Sequence, residues 1–155
     1  MADSPPATAE QTPASPAALK APEYMLKWEP IGEFSEEALF TKGTVRAKVW
    51  ISDKTAVHYR SLGGEEVYKI NEGIKVAEGM SVSHFRTEQT YWNLAFSVET
   101  IGDKAFEGTF AEKLARVRVM AAPILSRLSF GYLEFSGHVD DLFVGKKGDD
   151  VAKKS

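Results

Sequence analysis

The sequence predicts an α+β fold in which a small N-terminal β-hairpin or three-stranded sheet precedes a bundle of about four helices. Residues 44–52, TVRAKVWIS, alternate apolar and polar side chains, which is typical of a half-buried strand. Beyond Gly64 the apolar residues recur at spacings of three and four, which indicates helices. A chain of 155 residues is long enough for one such domain with its own core.

Composition divides the chain into three parts. Residues 1–23 hold five of the seven prolines and no aromatic residue, so they bury too little apolar surface to offset the entropy of ordering. We therefore predict a disordered Pro/Ala-rich arm there. Apolar anchors begin at Tyr24, and a single α+β domain is predicted over residues 24–144. The charged residues 145–155 are predicted to form a flexible tail.

Charge and hydropathy exclude several classes of partner. The formal charge of −3 comes from 19 basic and 22 acidic residues mixed along the chain, without the basic stripe that binding to a phosphate backbone requires. No apolar run approaches the roughly 20 residues needed to cross a bilayer. We therefore expect neither nucleic acid nor membrane as a partner. The chain has no cysteine, which removes disulfides and thiol chemistry.

The first predicted elements are extended. A turn is predicted at Pro30-Ile31-Gly32. The strand at residues 44–52 is followed by the turn-forming residues Ser52-Asp53-Lys54 and by a second extended segment, TAVHYRSL, at residues 55–62. These two segments are expected to pair as a hairpin. The residues on the apolar side of the first strand are Val45, Ala47, Val49 and Ile51.

Two helices are predicted next. A short one follows Gly63-Gly64, with its apolar face formed by Val67, Ile70 and Ile74. A longer one is predicted over residues 81–101, capped by Ser81 or Ser83 and ended by Gly102. Its apolar stripe consists of Tyr91, Leu94, Ala95, Val98 and Ile101.

A pair of helices is predicted at residues 110–135. Thr109 and Glu112 match the capping-box pattern, so a helix should begin near Phe110. Pro123 lacks an amide proton, so this helix should end near Met120, and the proline suits the first turn of the last helix. The apolar face of that last helix consists of Ile124, Leu125, Leu128, Tyr132 and Phe135.

The sequence contains no residue pattern typical of catalysis or cofactor binding. His58, His84 and His138 are far apart and lack ligand spacing with acids, so no metal site is predicted. The pair Gly63-Gly64 belongs to no phosphate-binding motif and precedes two glutamates. We therefore predict no catalytic residue, no cofactor and no enzymatic activity.

The residues that bear on function are apolar. Trp92 and Phe96 lie four positions apart on a face offset from the predicted stripe, so the helix carries more large side chains than one narrow stripe buries. Either both faces are buried within the domain, or one face receives a partner together with the helix pair at residues 110–135. The candidate contact residues are Trp92, Phe96, Leu128, Tyr132 and Phe135, and core packing is the alternative for each.

Residues from roughly 56 to 143 resemble the small tail assembly chaperones of tailed bacteriophages. The resemblance lies in a helix that ends in a glycine turn, a short helix with glutamate and arginine, a Met-x-x-Pro break and a final helix ending in Tyr-x-x-Phe. The residues that carry it are Leu94, Ala95, Ser97, Ile101, Gly102, Glu112, Leu114, Arg116, Arg118, Met120, Pro123, Ile124, Leu125, Tyr132 and Phe135. The chain also resembles small phage baseplate-hub assembly proteins.

The resemblance implies a non-enzymatic protein that binds the tape-measure protein and helps to recruit tail-tube subunits in the host cytoplasm. It leaves self-association into a homo-oligomer open. The arm at residues 1–23 departs from the family pattern, because the family usually begins close to the β segment. A structural virion protein, such as a connector, baseplate or decoration subunit that uses the arm to bind its neighbours, is therefore the alternative.

Overall fold

A computed structural model of the chain describes residues 26–75, 79 and 81–144. The predicted arm at 1–23 and the predicted tail at 145–155 lie outside these residues. The described part has an α+β fold, as predicted, with five strands and five helices. In chain order the elements are β1 (Trp28–Ile31), α1 (Glu36–Lys42), β2 (Arg46–Trp50), β3 (Ala56–Arg60), α2 (Gly64–Lys75), α3 (Val82–Ser97), β4 (Val98–Ile101), β5 (Lys104–Ala105), α4 (Phe110–Arg118) and α5 (Ala122–Asp141).

The sheet is an antiparallel meander in the order β1-β2-β3-β4-β5. The predicted hairpin is present as β2 and β3, in which Val49 pairs with Val57. The sheet nevertheless has five strands where two or three were predicted. One reason is that Pro30 lies in β1, where the sequence predicted a turn. A proline is tolerated there because β1 is an edge strand, and it pairs with Ala47 of β2.

The second reason for the larger sheet is that α3 ends before residue 101. The helix stops at Ser97, and Val98–Ile101 form β4, so the prediction of a helix over 81–101 is wrong at its C-terminal end. Val98 and Ile101 fit a helical stripe, but their β-branched side chains also favour a strand, and β3 offers its edge to pair with them. The buried Ser97 hydroxyl donates a 2.7 Å hydrogen bond to the Arg60 carbonyl where the helix changes into the strand.

The core lies between one face of the sheet and the helices α3 and α5. The helix α5 contacts β2, β3 and α3, while α2 and α4 pack against α3. The helix α5 therefore covers the sheet and α3 connects it to α2 and α4, which differs in detail from the bundle of about four helices that was predicted. The buried residues of this core are Ala47, Val49, Ile51, Val57, Tyr59, Leu94, Ala95, Val98, Phe106, Leu114, Val117, Leu128 and Phe135.

The ends of α4 and the start of α5 follow the sequence prediction. The Thr109 hydroxyl accepts from the Glu112 amide, and the Glu112 carboxylate accepts from the Thr109 amide at 2.9 Å, which completes the capping box. The helix ends at Arg118, close to the predicted Met120. Pro123 then lies in the first turn of α5. This start brings the apolar face of α5 onto the sheet.

Candidate functional site

Two of the five predicted contact residues belong to the core. Leu128 is 1% exposed and Phe135 is 2% exposed, and both lie on the face of α5 that packs on the sheet. The Phe135 ring stacks on Tyr59 with 5.9 Å between centroids. Tyr132 is half-buried and packs against the same cluster, 6.2 Å from the Tyr59 ring. For Leu128 and Phe135 the burial therefore favours the core alternative, because almost no surface of either residue is exposed.

Trp92 and Phe96 occupy a different place, on the side of α3 that faces α2 and α4. The Phe96 ring stacks on Phe110 of α4 with a centroid distance of 4.1 Å, and the Trp92 ring lies 5.0 Å from the same phenylalanine. Gly73 of α2 makes this arrangement possible, because a Cβ at that position would lie 2.1 Å from the Trp92 indole. Phe110 thus joins two predicted contact residues into one aromatic group.

These three rings line a cleft of about 360 Å³ between α2, α3 and α4, which we call the aromatic cleft. Its lining consists of Tyr68, Lys69, Glu72, Trp92, Phe96 and Phe110. Tyr68 is 64% exposed, whereas Trp92, Phe96 and Phe110 are half-buried. The cleft therefore combines half-buried aromatic rings with an exposed aromatic ring and two charged side chains. Within the described residues, the buried Nε1 of Trp92 has no hydrogen-bond partner.

Sequence reasoning did not identify Tyr68 as a site residue. The predicted apolar stripe of α2 was correct for Ile70 and Ile74, which are buried, but Val67 of that stripe is exposed. The face of α2 that meets α3 also contains Gly73, whose lack of a side chain admits the Trp92 ring. Gly73 lies in the last turn of α2, where a glycine is also common as a helix-ending residue, so the sequence does not indicate the contact with Trp92.

The sheet face opposite the core is held by ion pairs. Arg46 and Glu99 form a two-point pair with a closest distance of 2.8 Å. Arg60 and Glu66 form a second two-point pair, and Glu66 also accepts from the Gly63 amide at 2.8 Å. The hydrogen bond from Arg60 lowers the pKa of Glu66 below its ordinary value. The Arg60–Glu66 pair joins β3 to α2, whereas the Arg46–Glu99 pair joins β2 to β4.

A second, more polar cleft of about 460 Å³ lies near the start of the described chain. It is lined by Leu26, Lys27, Trp50, Ile51, Ser52, Asp53 and Arg127. The Lys27 ammonium lies 4.4 Å from the centre of the Trp50 ring, and Lys48 lies 5.3 Å from it. The half-buried Trp50 ring is therefore already in contact with cations of its own chain.

The three histidines are dispersed in the fold. Desolvation lowers the pKa of His58 on β3, and the nearby Lys48 contributes to the same shift. His138 stacks on Trp28 with 3.8 Å between ring centroids and lies 2.7 Å from the Glu134 carboxylate. His84 lies exposed near the start of α3. Across residues 26–75, 79 and 81–144, no group of three His, Asp or Glu side chains is placed to hold a metal ion.

None of the helices in the described residues is both long enough and apolar enough to cross a membrane. Comparisons of the chain with protein-family models, curated proteins and solved structures found no match.

Proposed function

We propose that the chain is a non-enzymatic tail assembly chaperone of a tailed bacteriophage. In this proposal it binds an apolar segment of the tape-measure protein and helps to recruit tail-tube subunits. The observation that carries the binding role is the aromatic cleft, where rings from α2, α3 and α4 meet around an open space of about 360 Å³. The phage context comes from the sequence resemblance alone.

The size and composition of the cleft support a small apolar ligand group. Binding pockets commonly range from about 300 to 1,000 Å³ and are lined by apolar and aromatic side chains with a few polar groups. A cleft at the lower end of this range accommodates a few anchor side chains of a partner segment. Lys69 and Glu72 lie on its border and bring both signs of charge there. Such charges orient a segment more than they strengthen its binding.

The exposed position of Tyr68 supports the same role. Tyrosine combines a large apolar ring with a polar hydroxyl and is enriched at protein interfaces. Its ring is mostly exposed, so contact with a partner would bury apolar surface that the isolated chain leaves in water. A chaperone that releases its partner during polymerisation needs a contact of limited area, which the cleft provides.

Co-expression with the tape-measure protein encoded in the same genome tests the proposal. We expect the tape-measure protein to stay in solution and to co-purify with this chain. The variant Tyr68→Glu should lose co-purification, whereas Phe40→Glu should retain it, because Phe40 is 78% exposed on α1 and does not line the cleft. Equal co-purification with both variants would contradict the proposed site.

Mass spectrometry of purified virions and of the infected-cell lysate separates the chaperone from a structural virion protein. An assembly chaperone should be abundant in the lysate and absent from particles. Stoichiometric presence in particles would contradict this function and would favour a connector, baseplate or decoration subunit.

A further inference from the structure

The helix α5 is apolar on two opposite faces. One face packs on the sheet through Leu128 and Phe135, which are buried. The opposite face presents Phe130, which is 57% exposed, and Leu133, which is 64% exposed. A helix on the surface of a domain normally turns charged and polar residues to solvent. This outer face is therefore more apolar than the solvent-facing side of a helix in an isolated monomer.

Two small residues flank the two large ones on this outer face. Ser126, Phe130, Leu133 and Gly137 follow each other at spacings of four, three and four residues, which places them along one side of the helix. All four are exposed. Their order of small, large, large and small is symmetric about the midpoint between Gly131 and Tyr132.

This symmetry fits a second copy of the same helix running in the opposite direction. Antiparallel packing about that midpoint would place Phe130 level with the partner's Leu133. It would also place Ser126 level with the partner's Gly137. A two-fold interface must be self-complementary, since the same surface contributes from both subunits. The spacing of these residues meets that condition.

The charges at the two ends of α5 complement each other in the same arrangement. The N-cap residue Ala121 provides no side-chain hydrogen bond, and the first turn contains no acidic residue. Asp140 and Asp141 end the helix and are exposed, although negative charge is unfavourable at a helix C-terminus. An antiparallel partner would bring its acidic pair beside the positive N-terminal end of α5. The contact would thus make the electrostatic interactions more favourable at both ends of both helices.

We infer that the outer face of α5 is a homodimer interface in which two copies pack antiparallel about a two-fold axis between Gly131 and Tyr132. The interface uses none of the residues that line the aromatic cleft. Dimerisation leaves the cleft of each subunit free for a partner, so this inference and the proposed function can fail independently.

Sedimentation equilibrium of the full chain over a wide concentration range tests the dimer. We expect a monomer–dimer equilibrium whose Kd rises at least tenfold in Phe130→Glu, because two carboxylates would then lie in an apolar interface. Phe40→Glu is the matched control, since it adds the same charge at an exposed phenylalanine of α1. Circular dichroism checks that both variants are folded. A wild-type chain that stays monomeric, or equal dimerisation of the two variants, would overturn the inference.

Cysteine cross-linking tests the antiparallel orientation, and the absence of native cysteine makes it unambiguous. A mixture of Ser126→Cys and Gly137→Cys chains should form a disulfide-linked heterodimer under mild oxidation. Each variant alone should not, because two copies of the same position would lie about 16 Å apart along the axis, beyond the roughly 7 Å between Cα atoms that a disulfide spans. Efficient cross-linking of either variant alone, or none in the mixture, would overturn the proposed packing.

Discussion

The hydroxyl of Tyr59 donates a 2.7 Å hydrogen bond to the carbonyl oxygen of Leu128. This bond joins β3 to α5 across 69 residues of sequence. Burial raises the pKa of Tyr59 far above its ordinary value, so the hydroxyl stays protonated and remains a donor. Gly131 permits the contact, because a Cβ there would lie 2.3 Å from the tyrosine oxygen.

Gly131→Ala is expected to destabilise the fold. Alanine favours a helix over glycine by about 1 kcal/mol, but the new methyl group would also meet Ile51 at 2.9 Å. Overpacking of this kind costs roughly 1–3 kcal/mol, and contact with a fixed strand should place the cost at the upper end. Urea unfolding measures the change, and a variant more stable than the wild type would contradict the packing described here.

Tyr59→Phe should lower the free energy of unfolding by about 1 kcal/mol through loss of the hydrogen bond. Combined with Gly131→Ala, its cost should be less than additive, because removing the hydroxyl oxygen also removes the closest clash. A double-mutant cycle measures this coupling. Strict additivity would show that the alanine methyl group meets something other than the tyrosine hydroxyl.

Gly73→Ala is expected to displace the Trp92 ring from the aromatic cleft. The added Cβ would approach the indole to 2.1 Å, so either the ring or α2 must move. A loss of roughly 1–3 kcal/mol in the free energy of unfolding should accompany a change in tryptophan fluorescence. Gly64→Ala in the same helix is the control, because nothing lies within 4 Å of its Cβ position. Similar behaviour of the two variants would contradict the close packing of α2 on α3.

The capping box predicts that substitutions of Thr109 lower the stability to different extents. Thr109→Ala removes the acceptor for the Glu112 amide and should cost about 1 kcal/mol of stability. Thr109→Ser keeps a hydroxyl and should cost much less. Thermal unfolding of the two variants measures the difference, and equal losses would mean that the cap contributes little.

Glu66 should contribute stability that depends on pH. Its pKa is lowered in the folded state, chiefly by the hydrogen bond from Arg60, so the folded state favours the ionised carboxylate. The contribution is present above the unfolded pKa of about 4.3 and is lost as the pH falls through the lower folded pKa. Glu66→Gln should therefore be less stable than the wild type at pH 7 by roughly 1 kcal/mol.

The difference between wild type and Glu66→Gln should shrink in acid. Urea unfolding at several pH values between 7 and 3 measures it. A difference that stays constant over this range would show that Glu66 acts through packing and not through its charge.

Sequence patterns predicted the elements whose signals are local. The alternation in β2, the capping box at Thr109 and the break at Pro123 each depend on a few neighbouring residues, and the structure contains all three. The strand β4 was missed because Val98 and Ile101 fit a helical stripe as well as a strand. Pairing with β3 decided between the two, and such a long-range contact has no local signal.

The candidate site was predicted only in part for the same reason. The excess of aromatic residues identified Trp92 and Phe96, and both line the aromatic cleft. Leu128 and Phe135 have the same apolar character, but the orientation of α5 on the sheet buries them. Tyr68 belongs to the cleft because Gly73 allows α2 to lie close to α3. The residue pattern within a single helix does not indicate how closely two helices pack.

In the proposed function, an apolar segment of the tape-measure protein binds in the aromatic cleft. Isothermal titration of the purified full chain with the tape-measure protein from the same genome, or with overlapping fragments of it, tests this binding. We expect saturable binding by the wild type and by Phe40→Glu, and at least a tenfold weaker affinity for Tyr68→Glu, which retains the fold because Tyr68 is exposed. Absence of binding by the wild type, or an unchanged affinity of Tyr68→Glu, would contradict the proposed binding in the cleft.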